Sequence, residues 1–117
     1  MQVKATREGL LGHDTSSGYV LEKHVPCVAL PSRKALYKCV RLINPKNSAT
    51  CDAVVLDVGP WNVEDDDYVF GGKRPQAESG TDCFGRTTNH AGIDLGEYVW
   101  NKLGMIGNDL VEWRFLV

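Results

Sequence analysis

Two apolar segments separated by a short polar one constrain the fold of this chain more than any other feature. Residues 35–43 (ALYKCVRLI) and 51–58 (CDAVVLDV) are rich in Val, Ile, Leu and Tyr, which favour β-strands. The intervening NPKNSAT supplies Asn, Pro and Ser, which favour turns. The pattern therefore predicts a β-hairpin, whose second strand ends at Gly59-Pro60 with Asp57 close to that end.

Further short strands and one helix extend this pattern. VPCVALP at 25–31 is typical of a short strand closed by a proline, and residues 1–24 are expected to form a strand fragment plus loops. In IDLGEYVWNKLGM, Asp94 is placed to cap a helix that ends at Gly104 or Gly107. Apolar residues recur there at four-residue steps, at Leu95, Val99 and Leu103. The terminal strand is predicted to bury one face, formed by Val111, Trp113, Phe115 and Val117.

Many short strands with a single small helix favour a mainly β barrel over a β-sandwich. At 117 residues, the chain is expected to form one domain, residues 1–117. A net charge of −2 leaves no basic excess for nucleic acid, so nucleic acid is not an expected partner. The apolar runs fall far short of the ~20 residues that cross a bilayer, and the N-terminus has no apolar signal region. We therefore expect no transmembrane segment. The chain is expected to be either an intracellular protein or a mature fragment whose signal peptide was removed.

The four cysteines lie far apart and form no CxxC pair, which argues against a zinc-binding or thioredoxin-type motif. They permit two disulfides in three connectivities, or none. A Cys39–Cys51 bridge is disfavoured, because a hairpin turning at 44–48 would offset the two residues by about four positions. At least two buried thiols are expected. Cys27 has His24 nearby but on the opposite strand face, so a structural thiol is favoured over a nucleophile.

Residues 61–92 form a long segment without a regular hydrophobic period, which in a small domain is usually functional or partly disordered. Its aromatic residues can stack on sugar rings or fill a minor core, and they are Trp61, Tyr68 and Phe70. Hydrogen-bonding groups in the same segment are Arg74, Glu78, Asn89 and His90, each of which taken alone is better explained as ordinary loop polarity. The acidic run at 64–67 lacks the spacing of a calcium loop, so neither a metal site nor a cofactor is expected.

Two carboxylates carry the candidate chemistry. Asp57 alternates with Ala53 and Val55, so it is predicted to share their strand face and to be half-buried if that face points inward. Burial would raise its pKa, as suits a general acid or base, while capping of the Gly-Pro turn is an equal alternative. Asp94 alone is better explained as a helix cap. Together, two carboxylates at the ends of separate strands fit acid–base cleavage of a glycosidic bond.

Several motifs follow one another in a recognisable order: TSSG (15–18), ALP (29–31), KCVRLINPKN (38–47), VVLDVGPW (54–61) and GIDLGEYVWNKLGM (92–105). This order resembles the RlpA-like double-psi β-barrel domains, named for rare lipoprotein A. The resemblance implies a six-stranded double-psi β-barrel with one open groove. This chain would add to that barrel one short helix and a long inserted loop at 61–92, which replaces a much shorter connection of the family. The resemblance also implies a relationship to expansins, endoglucanases and lytic transglycosylases, which act on cell-wall polysaccharide.

The same resemblance implies roles for individual residues. Asp57 matches an aspartate of the active groove in lytic members, and Asp94 matches the general-acid position of the expansin and endoglucanase relatives. Cys27 stands where lytic members have a histidine, which makes it a candidate groove contact, and Val58 replaces an arginine. These two departures favour binding over cleavage. The long loop is expected to cover or extend the groove.

The sequence therefore predicts a periplasmic, secreted or envelope-associated barrel that engages peptidoglycan or a similar polysaccharide as a monomer. Trp61 and Tyr68 would stack on sugars, and Asp57 and Asp94 would contact the chain. If the protein is catalytic, the expected chemistry is that of a lytic transglycosylase, with Asp57 or Asp94 protonating the glycosidic oxygen. The alternatives are a non-catalytic expansin-like module, or a protein-binding accessory domain such as a toxin, an inhibitor or a phage-borne module.

Overall fold

The computed structural model describes residues 1–7 and 25–116. The TSSG motif at 15–18, His24 and Val117 therefore lie outside the described residues. So does most of the N-terminal region 1–24, for which a strand fragment and loops were predicted. The strand fragment itself is present within the first seven residues.

Six strands form a closed barrel. The strands are β1 (Gln2–Arg7), β2 (Cys27–Leu30), β3 (Cys39–Ile43), β4 (Thr50–Val58), β5 (Ile93–Leu95) and β6 (Asp109–Phe115). Around the barrel their order is β1-β5-β2-β4-β3-β6. The β1–β5 and β2–β4 pairs are parallel and the other four pairs are antiparallel. This architecture confirms the prediction of a mainly β, six-stranded closed barrel.

The predicted hairpin is formed by β3 and β4, with Cys39 opposite Val54 and Leu42 opposite Cys51. Its turn closes through the Ser48 amide, which donates to the Asn44 carbonyl at 2.8 Å. Cys39 and Cys51 are offset along the hairpin, as the turn at 44–48 predicted. All four cysteines are thiols, with Cys27 and Cys51 buried and Cys39 and Cys83 exposed. The prediction of at least two buried thiols is confirmed.

The barrel interior is filled by alternate residues of the strands, among them Val3, Ala5, Val28, Leu30, Val40, Leu42, Val55, Ile93, Leu95, Val111 and Trp113. On β6, Val111 and Trp113 are buried and Phe115 is partly buried, which confirms the predicted inner face for the described residues. Burial of apolar side chains on this scale is the main contribution that holds such a barrel together.

The described residues contain two short α-helices, α1 (Asp66–Val69) and α2 (Glu97–Lys102), where one was predicted. The start predicted for the helix that corresponds to α2 was wrong, because Asp94 lies in β5 and the N-cap of α2 is Gly96. Residues 93–95 pair with both β1 and β2, so their backbone groups are engaged before the helix begins. The predicted end is confirmed, because Gly104 follows the helix with φ of 68°. None of the helices in the described residues is long and apolar enough to span a bilayer.

The long segment at 61–92 is ordered rather than structureless. It contains α1, a 3₁₀ turn at Gln76–Ser79 and an antiparallel bridge between Thr81 and Thr87. The buried Asp82 carboxylate accepts the Phe84 and Arg86 amides at 2.9 and 2.8 Å and pairs with the Arg86 guanidinium. Local hydrogen bonds of this kind hold the segment in place without a regular hydrophobic period.

Candidate functional site

A β-bulge decides where Asp57 points. In the β2–β4 pair, Val28 lies opposite Val55, but the next residue, Ala29, lies opposite Asp57. Leu56 is the extra residue, and it packs beside Cys27, outside the main core. Asp57 therefore shares a face with Ala29 instead of the inward face of Ala53 and Val55. The predicted alternation was wrong at this position, because the bulge inserts one residue into the pattern.

Asp94 lies on the same outer face as Asp57. Its neighbours on β5, Ile93 and Leu95, are fully buried in the core, so Asp94 points away from it. Asp94 pairs with Ala29 on one side and with Thr6 on the other. Thr6, Asp94, Ala29 and Asp57 thus form one row across four strands. At the usual strand spacing, the two aspartates are roughly 10 Å apart between Cα atoms.

The surroundings of Asp94 perturb its acidity. Burial raises the pKa of Asp94 to about 6, the Thr6 hydrogen bond opposes this rise, and the negative charge of Asp57 adds to it. The Thr6 hydroxyl donates to the Asp94 carboxyl, and the Val58 amide donates to the Asp57 carboxyl at 2.9 Å. The contact to Val58 agrees with a local structural role for Asp57 at the strand end. Asp94 is thus a carboxyl group that carries a proton at mildly acidic pH.

Trp61 and Asn89 lie beside this row. Trp61 has a left-handed backbone with φ of 68°, and its indole N–H donates to the Asn89 side-chain oxygen at 2.8 Å. Asn89 and Thr6 line the same open cleft of about 540 Å³, which also includes Trp100. We call this the first cleft. A hydrogen bond therefore connects Trp61 to Asn89, and the cleft is lined by both Asn89 and Thr6, the residue that donates to Asp94.

The remaining polar candidates form a separate cluster near the start of β1. Arg74 and Glu78 form an ion pair at 2.5 Å, and Arg74 also donates to the Gln2 carbonyl at 3.0 Å. The His90 ring nitrogen Nδ1 lies 3.1 Å from the Glu78 carbonyl oxygen. Because Gln2 precedes Thr6 by four residues on an extended strand, this cluster lies roughly 13 Å along β1 from the carboxylate row.

Two predicted ligand contacts are not accessible. Tyr68 is only 1% exposed. Its hydroxyl donates to the Gly92 carbonyl at 2.9 Å and accepts from the Trp113 indole at 2.8 Å, so it is a core residue and not a stacking platform. Cys27 is also buried, and its sulfur lies so close to Gly96 that an added Cβ there would be 2.7 Å away. The glycine therefore allows α2 to start directly over Cys27.

Sequence reasoning missed Thr6, Trp100 and Ile106, all of which line the first cleft. Trp100 lies within the GIDLGEYVWNKLGM motif, but no motif or period in the sequence distinguishes Thr6 or Ile106. These residues come together because the end of β1, helix α2 and the turn after it meet at this cleft. Among the described residues, no group of three His, Cys, Asp or Glu side chains is arranged to hold a metal ion.

Comparison with known families gives one match, over residues 1–114, to a family described as a domain of unknown function (DUF8814). The chain belongs to this family. No curated protein sequence matches the chain.

Two solved structures share the barrel of this family member. One is a mutant of the Clavibacter michiganensis expansin in complex with cellohexaose, with a TM-score of 0.55 and 16% identity over all of this chain and 51% of that one. This chain thus spans about half the length of that expansin. The other is cerato-platanin 3 from M. perniciosa, with a TM-score of 0.56 and 10% identity, covering 100% of this chain and 95% of that one. At such low identity, the likeness concerns the fold.

Proposed function

We propose that this chain is a carbohydrate-binding barrel that engages a cell-wall polysaccharide along the first cleft. The observation that carries the proposal is the row of Asp57, Ala29, Asp94 and Thr6, which runs on the outer face of the barrel into an open cleft. The cellohexaose bound to the expansin neighbour supports a polysaccharide as the ligand of this barrel type.

The side chains around the cleft suit a sugar chain. Trp61, half-buried and bonded to the cleft residue Asn89, supplies aromatic surface beside the cleft, and such surface packs well on the apolar faces of sugar rings. Trp100 forms part of the cleft wall, with the Arg7 guanidinium over its ring. Asn89, Asp94 and Asp57 supply amide and carboxylate groups that hydrogen-bond hydroxyls. The cluster of Arg74, Glu78 and His90 would contact only a ligand long enough to extend along β1.

A second candidate function is cleavage of the polysaccharide, and the raised pKa of Asp94 favours it. A carboxyl whose pKa is raised to about 6 can protonate a glycosidic oxygen at mildly acidic pH, with Asp57 as the second carboxylate. By the resemblance to RlpA-like domains, buried Cys27 stands where their lytic members have a histidine, and Val58 stands where they have an arginine. These departures favour binding without cleavage. A protein-binding accessory role is the remaining alternative.

We propose a monomeric single domain over 1–117, related to the RlpA-like double-psi barrels and located in the periplasm, the cell envelope or the extracellular space. The ligand is peptidoglycan or another wall polysaccharide, and no cofactor takes part.

Sedimentation with insoluble polysaccharide tests this function. The protein is mixed with purified peptidoglycan sacculi or with cellulose, and bound protein is measured in the pellet. We expect sedimentation with at least one polymer and, for Trp61→Ala, binding about tenfold weaker, because the aromatic surface is lost. Glu112→Gln, an exposed change on β6, is the matched control and should bind normally.

The soluble fraction distinguishes binding from cleavage. Release of anhydro-muropeptides that Asp94→Asn abolishes would make the protein a lytic enzyme. Sedimentation without release would make it a binding module. Failure to sediment with any wall polysaccharide would contradict both glycan functions and leave the protein-binding role.

A further inference from the structure

A second open cleft, of about 470 Å³, lies next to the first. The two clefts share the residues of the turn between α2 and β6, which are Ile106, Gly107 and Asn108. This turn is the boundary between two adjoining depressions. The second cleft continues away from the carboxylate row towards the β3–β4 turn, where Asn44 and Asn47 line it.

We propose that the second cleft is an additional binding subsite for the same polysaccharide chain. A chain seated beside Asp94 would cross the turn at Ile106 and continue into the second cleft. This inference rests on the proposed function, and it assigns to the DUF8814 barrel a ligand longer than the first cleft alone can hold.

The exposure of Ile106 supports this path. Its side chain is completely exposed, although large aliphatic groups gain free energy when they are removed from water. Ile106 lines both clefts, so a ligand that crosses the turn would cover it. Met105 adds apolar surface to the second cleft and Trp100 adds it to the first.

The walls of the second cleft are held in place before any ligand binds. The side-chain amides of Asn44 and Asn47 both donate to the Leu103 carbonyl, at 2.8 and 3.0 Å, which ties the hairpin turn to the end of α2. A wall fixed in this way loses little entropy on binding.

The charges of the second cleft favour a neutral ligand. Lys46 and Asp109, which both line the cleft, form an ion pair with each other. The remaining lining is apolar side chains, glycine backbone and asparagine amides, which suit the ring faces and hydroxyls of a sugar chain. A strongly charged polymer would have to compete with the ion pair.

The test compares short and long fragments of whichever polysaccharide sediments the protein. Disaccharide and hexasaccharide fragments are titrated into the ¹⁵N-labelled full chain, and affinity and amide chemical shifts are measured together. We expect the hexasaccharide to bind at least about fivefold tighter, and only the hexasaccharide to move the signals of Asn47 and Gly104. Ile106→Ser should weaken hexasaccharide binding more than disaccharide binding. Tyr37→Ser, a change at an exposed aromatic outside both clefts, should alter neither.

The outcomes separate this inference from the proposed function. If Trp61→Ala weakens binding while the Asn47 and Gly104 signals stay unmoved by the hexasaccharide, the second subsite is overturned and the first cleft stands. Equal affinity for both fragments would also overturn it. If neither sacculi nor cellulose sediments the protein, the proposed function and this inference fall together.

Discussion

At the scale of single residues, Asp94 makes a distinct contribution to how stability responds to pH, opposite in sign to that of the aspartates whose pKa values are lowered, such as Asp82. The folded pKa of Asp94, about 6, lies above the value near 3.9 of an unfolded aspartate. The folded state therefore holds the proton more tightly, and this contribution to stability is complete below about pH 4 and is lost as the pH rises through about 6.

Replacing Asp94 by Asn should remove this dependence. The amide oxygen can still accept the Thr6 hydroxyl, while the ionised form in its half-buried site beside Asp57 is eliminated. We expect Asp94→Asn to be more stable than wild type by about 2 kcal/mol at pH 8, and to show no such gain at pH 3.5. Urea unfolding at the two pH values measures the difference. A gain of equal size at both would contradict the assignment, and Glu112→Gln serves as the exposed-acid control.

At the scale of elements, a buried tyrosine is one of the contacts that anchor the long segment at 61–92 to the barrel. The Tyr68 ring packs edge-on against Trp113 with centroids 5.9 Å apart, which attaches α1 to β6. The Tyr68 hydroxyl also joins the Trp113 indole to the Gly92 carbonyl, just before β5. This one side chain therefore connects the segment to two strands of the barrel.

Tyr68→Phe should lower the free energy of unfolding by about 2 kcal/mol, since it leaves a buried donor and a buried acceptor without their partner. Chemical denaturation with circular dichroism measures the loss. Tyr98→Phe is the matched control, because Tyr98 lies partly exposed on α2 and should change stability little. Equal effects of the two substitutions would show that the buried hydroxyl does not anchor the segment.

At the scale of the whole molecule, the closed barrel should protect some thiols and not others. Cys39 and Cys83 are exposed, while Cys27 and Cys51 are covered by the fold. We expect a thiol reagent to modify two cysteines rapidly in the native protein and all four in denaturant without reductant. Mass spectrometry counts the adducts. Fewer than four in denaturant would reveal a disulfide, and four rapid modifications in the native state would contradict the burial of Cys27 and Cys51.

The sequence alone determined the features that depend on neighbouring residues. Alternation and turn composition located the β3–β4 hairpin and the buried face of β6, and Gly104 marked the end of α2. The offset of Cys39 from Cys51 followed from the same hairpin. Each of these features depends on residues close together in the chain, whose period and turn preferences are visible in the sequence.

Tertiary structure decided the site. The bulge at Leu56 turned Asp57 to the outer face, and pairing with β1 and β2 placed Asp94 in a strand instead of a helix cap. Tyr68 proved to be a core residue because α1 packs on Trp113. Thr6 met Asp94 only because β1 and β5, distant in the chain, lie side by side. Register between distant strands depends on how the whole core closes, and no local period records it.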